Sequence, residues 1–158
     1  MGAKGFYTAQ EGHVVNILPP VDISGGKFSD VFSLRNHAHA TIVVQIGVSA
    51  AAFTKIIVNA CDDFTPSNRT AIPFTLFSEE TAAGDTLAAK EAVAAAGKTP
   101  SANDGIMYVI EVDASELPQG SPNLELSLTN GVNSVIASAI AILSGSRFAE
   151  DQSATAIA

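Results

Sequence analysis

The sequence predicts an all-β protein, a β-sandwich of jelly-roll or Greek-key type with about eight strands. Three observations lead there. Short apolar segments recur along the chain, several alternating between apolar and polar residues with the period of two that a half-buried strand requires. Clusters of Gly, Pro, Asn, Asp and Ser separate them. Only one stretch has the composition of a helix. With 158 residues, 47% of them apolar, the chain suits a single domain. It has no Trp and is only 6% aromatic, so its core should be built from small aliphatic side chains.

The first dozen residues, 1–12, read as an extended arm with one aromatic pair, Phe6-Tyr7. The domain proper is expected over 13–146 and a second arm over 147–158. His13–Leu18 is an apolar run that Pro19-Pro20 should end, because two backbone donors are missing. After the Ser24-Gly25-Gly26-Lys27 turn, Phe28–Leu34 alternates as a strand. Asn36-His37-Ala38-His39 reads as a connection. Ala40–Val48, β-branched and apolar on both faces, suits a central strand. Phe53–Ala60 follows as another.

Asp62–Arg69 is a polar loop. Thr70–Phe77 alternates again, and Pro73 places it at an edge or a bulge. Asp85–Ala96 is the ambiguous stretch. Its alanines, an Asp85 N-cap and Gly97 at C′ favour a helix, but its thin apolar face equally suits a strand or loop excursion. Thr99–Gly105 and Pro118–Pro122 are turns bracketing the strand Ile106–Val112. Asn123–Thr129 puts Leu124, Leu126 and Leu128 inward and Glu125, Ser127 and Thr129 outward. Asn130-Gly131 is a hairpin signal, with Val132–Leu143 as the return strand.

Charge narrows the function. Eight Lys and Arg against sixteen Asp and Glu give a net charge of −8, a poor inventory for neutralising phosphates, so direct nucleic-acid binding is not expected. No run reaches the roughly 18 apolar residues of a membrane span. No secretory leader is visible. One cysteine, Cys61, forms no intrachain disulfide and no multi-cysteine zinc site.

Few residues suggest chemistry. His37 and His39, two apart on a strand, could share a face and take His13 or Asp30 as a third zinc ligand; the plainer reading is two polar residues in a loop, and no metal or cofactor is expected. Cys61 has no neighbouring cation or His in sequence to make it a nucleophile, so a buried strand-end thiol is expected. The acidic residues around Asp62-Asp63 lack the spacing of a calcium loop. Neither a phosphate loop nor a nucleophile elbow is present, and no enzyme is expected. The two arms remain, with Phe6, Tyr7, Arg147 and Phe148 as their anchors for a neighbouring surface.

Gly12–Pro20, the Gly25-Gly26-Lys27 turn, Ala102-Asn103-Asp104 before Tyr108–Glu111, and the ending Ile142–Ala149 with Asp151–Thr155 together resemble structural proteins of tailed bacteriophages, most closely the capsid decoration, or cement, proteins. The resemblance implies a non-enzymatic subunit on the outer capsid surface that bridges major capsid protein subunits, made in the bacterial cytoplasm, and working as a homodimer or homotrimer. The alternative expectation is a carbohydrate- or host-surface-binding module carried on loops Asp62–Arg69, Thr81–Gly84 and Thr99–Asn103. A cupin-like metal enzyme using His37 and His39 is the third.

Overall fold

In the computed structural model, which describes residues 5–81 and 85–146 and the backbone of Ala156–Ile157, the chain is all-β. The strands are β1 (His13–Asp22), β2 (Lys27–Phe28), β3 (Val31–Ser33), β4 (His37–Ser49), β5 (Lys55–Cys61) and β6 (Arg69–Ile72). They continue as β7 (Phe74–Glu79), β8 (Glu91–Val93), β9 (Ile106–Asp113), β10 (Asn123–Thr129), β11 (Val135–Ser146) and β12 (Ala156–Ile157). All pairings are antiparallel. The first sheet runs β1-β11-β4-β9-β7-β8 and the second β12-β3-β10-β5-β6, with β2 beside β10 in line with β3.

The sheets face each other across one apolar core. Ile42, Val44, Ile110 and Tyr108 from the first meet Phe32, Leu124, Leu126 and Val58 from the second, all fully buried. As composition implied, Ile, Leu, Val and Ala dominate this core. On β11 the inward positions Ala137, Ala139 and Ala141 are small and buried, offsetting the larger side chains opposite so that the layers interdigitate.

The eight expected strands become twelve, for physical reasons. Phe28–Leu34 breaks at Ser29-Asp30, where the Ser29 backbone donates to the Leu126 carbonyl and Asp30 to Ile17. Thr70–Phe77 breaks at Pro73: β6 ends the second sheet and β7 starts in the first, so the proline marks a corner between sheets. Pro19-Pro20 does not end β1. That strand is at a sheet edge and absorbs the missing donors with register shifts against β11 between Asn16 and Val21.

Three further expectations are corrected, and the open alternative at Asp85–Ala96 is decided. Asn130-Gly131 is not a hairpin turn, because β10 lies in the second sheet while β11 pairs β1 and β4 in the first. The link is instead an inter-sheet crossing, with Asn130 Nδ2 donating to the Asn133 and Ile23 carbonyls. The helical option for Asp85–Ala96 gives way to an extended segment containing β8. Gly97 (φ +87°) then brings Lys98 against Ile56 of β5, where a Cβ would collide with the Ile56 carbonyl oxygen and the Ile57 side chain. His37–His39 belongs to β4 rather than to a connection, and residues Thr8–Glu11 form one helical turn, α1, within the segment expected to be extended.

Candidate functional site

His37 and His39 do not converge on a shared ligand. His37 is buried, its ring stacked on that of His13 with centroids 5.9 Å apart. His39 opens onto the outer face of the first sheet. There β9 pairs with β4 in a register that sets His39 opposite Asp113 and Thr41 opposite Glu111. The imidazole is consequently gripped on both sides, Nδ1 by Asp113 Oδ1 at 2.7 Å and Nε2 by Glu111 Oε2 at 2.5 Å. Partial burial opposes the charged ring, but the hydrogen bonds to Asp113 and Glu111, with the charges behind them, outweigh it and raise the pKa. Both ring nitrogens are thereby occupied. Asp30 lies in the break between β2 and β3, its amide bonded to the Ile17 carbonyl of β1. Among the described residues, no group of three or more His, Cys, Asp or Glu is arranged to hold a metal ion.

The outer face of the second sheet is built differently. Glu125, expected to point to solvent, is only 2% exposed. Arg69 on the edge strand β6 reaches across β5 to it, Nε to Oε2 at 2.7 Å and Nη2 to Oε1 at 3.3 Å. The guanidinium carbon sits 4.9 Å above the Phe28 ring. Such a two-pronged, aromatic-backed contact is the geometry in which an arginine pairs best. Beneath it Cys61 is fully buried at the end of β5. Burial first, then the Glu125 charge, push its thiol up to about 12 against the opposing pull of Arg69. A thiol in that state is not a nucleophile at neutral pH.

The feature that sequence reasoning missed is an apolar row across the first sheet's outer face. Ile140 of β11 is directly opposite Val43 of β4, Val43 opposite Val109 of β9, and Val109 opposite Phe77 of β7. Val14 of β1 pairs Ile142 beside it. Val14, Ile136 and Ile140 are 47%, 40% and 38% exposed. The signal was present: Ala40–Val48 and Ile106–Val112 are apolar at both parities, and only one parity can face the core.

Of the anticipated arm anchors, Phe6 and Tyr7 are 72% and 59% exposed, just before α1. The Tyr7 carbonyl accepts from the Gln10 and Glu11 amides, and Gly12 lies so close to Ile142 that a Cβ there would come within 3.1 Å of Cγ2. Arg147 and Phe148 lie outside the described residues. The loops named for a carbohydrate site part company: Thr99–Asn103 follows Lys98, bridged to Ile56 near one end of β5, whereas Asp62–Arg69 leaves the other end. Of Thr81–Gly84, only Thr81 is described. Asn103 and Tyr108 instead tie Thr99–Asn103 to Glu80, through Asn103 Nδ2 to the Glu80 carbonyl at 2.7 Å and Tyr108 Oη to Glu80 Oε1 at 3.1 Å.

Among the described residues no helix is long and apolar enough to cross a membrane. No protein-family model matches the chain, and no curated protein or solved structure is significantly similar to it.

Proposed function

We propose that this protein is a structural component of a tailed-phage particle, a decoration protein that binds the outer surface of the assembled capsid and bridges major capsid protein subunits. The observation that carries the reading is the exposed pair Phe6-Tyr7 at the edge of a β body whose interior phenylalanines, such as Phe32, Phe53 and Phe74, are buried. An aromatic pair kept in water while Phe32, Phe53 and Phe74 are buried is a contact element. The motif resemblance points the same way. The net charge of −8 suits the outside of a shell, because an acidic lining would be repelled by packaged DNA.

A finer reading of the fold goes with this proposal. Taking β2 and β3 as one strand, the chain visits the second sheet, β4 in the first, β5 in the second, β7 and β8 in the first, the Lys98 bridge to β5, β9 in the first and β10 in the second. That alternation between the two sheets supports a jelly roll, with β1 and β11 widening the first sheet.

The protein stabilises the shell by mass action. It binds the assembled lattice better than free capsid subunits, which shifts the equilibrium toward the intact particle, and contacts repeated with lattice symmetry add avidity. The test is co-sedimentation of the full chain with capsids that lack it. Saturable binding, weakened by Phe6→Ala with Tyr7→Ala and by deletion of 1–11 and 147–158, is expected. A chain that never sediments with capsids overturns the reading.

A further inference from the structure

We infer that the outer face of the first sheet is the surface on which two copies of this chain pair, sheet against sheet. The inference goes beyond capsid binding and stands without it, since it concerns the isolated protein.

The starting point is what the face lacks. From Ile136 to Ser144 on β11 and from Thr41 to Gln45 on β4 the outward positions hold only Ile, Val, Ser, Thr and Gln, and Val14 and Asn16 of β1 beside them are uncharged too. A chain with net charge −8 has kept charge off these stretches of two adjacent strands. Solvent-facing sheet positions ordinarily carry charged side chains, and edges and faces left without them invite association. Here the uncharged positions also carry the Ile140–Val43–Val109–Phe77 row, whose members touch across four strands in register.

Size supports a second copy as the occupant. Four strands about 4.8 Å apart and eight residues rising about 3.3 Å each span a face of about 500 Å². Two such faces bury about 1,000 Å² together, the size at which a specific interface begins. Phe77 on a fifth strand enlarges it further.

A two-fold axis also keeps each carboxylate of the face from lying over its own copy. Two copies related by a two-fold axis along the row would set Glu111 of each over Met107 of the other, because those residues flank Val109 on opposite sides. The carboxylates of Glu111 and Asp113, each bonded to His39, are then not set against one another. Sheets packed in this way lie about 10 Å apart with their strands within about 30° of alignment.

Sedimentation velocity over a range of concentrations tests this on the full chain. The wild-type protein is expected to be a dimer. Ile140→Asp places a charge at the centre of the row, and Ser138→Arg adds bulk and charge beside it without removing any apolar group. Each is expected to weaken the dimer by about thirtyfold or more, the effect of losing a central contact residue, with an unchanged far-ultraviolet circular dichroism spectrum. Val132→Asp, on the 95% exposed residue of the β10–β11 connection, is expected to leave the dimer intact. A wild-type monomer or trimer overturns the inference, as does a dimer that persists in folded Ser138→Arg. If the wild type is monomeric while Ile140→Asp alone loses capsid binding, the face belongs to the capsid protein instead.

Discussion

The two outer faces of this sandwich solve the same problem in opposite ways. On the second sheet the outward residues of β10 are polar, yet Asn123, Glu125 and Ser127 are buried, and Arg69, stacked on Phe28, closes over Glu125. On the first sheet an apolar row runs among the outward residues, and Ile140, Ile136 and Val14 are left partly in water. One face has spent its own side chains sealing a carboxylate, while the other has kept an apolar surface open. The difference teaches that polarity in a strand does not by itself report exposure. What a neighbouring strand can reach over decides it.

The largest effect should come from breaking the seal. Arg69→Ala leaves Glu125 buried without its cation and is expected to cost about 3 kcal/mol in urea unfolding, because an unpaired buried charge is far worse than an absent pair. Arg69→Met combined with Glu125→Leu should recover most of that loss, and would make the second face resemble the first.

The inward side of β11 comes next. Ala139 is buried in the core between the layers, so Ala139→Leu is expected to cost about 2 kcal/mol by overpacking, read as a lower urea midpoint. On the outward side of that strand, Ile140→Ser should change monomer stability by less than about 1 kcal/mol. That contrast between adjacent residues would show that the open face is not needed to fold the chain.

The smallest effect concerns His39, the titrating group at the rim of the open face. Its folded pKa is raised by Asp113 and Glu111 against the effect of burial. Its stabilisation is therefore fully present below the unfolded value of about 6.5 and is lost as pH rises through the folded pKa. A histidine NMR titration should show the raised midpoint. His39→Gln should remove a small decline in stability over that window, and a decline of unchanged size in this variant would assign it elsewhere.

Much of the architecture was legible because strand signals are local. The alternations in Asn123–Thr129 and the β-branched run in Ala40–Val48 appear where β10 and β4 do. The places where reading failed are those where a distant residue decides. Asn130-Gly131 has the local chemistry of a hairpin, but the leucines of β10 and the alanines of β11 must face the same core from opposite sheets. Asp85–Ala96 has helical composition, but Gly97 and the Ile56–Lys98 bridge draw its end toward the edge of β5. Among the candidate site residues, His37 and His39 were visible as a pair, whereas Glu111 and Asp113 are some seventy positions away and reach His39 only through the β4–β9 register.

By itself the sequence determined the class of fold, the aliphatic character of the core and the acidic balance, since composition and period-two patterning depend only on neighbours along the chain. Tertiary structure alone decided which sheet each strand joins, that Glu125 is sealed and that Ile140, Val43, Val109 and Phe77 form one row. Those are properties of register, and register is set by the burial of every strand's apolar face at once.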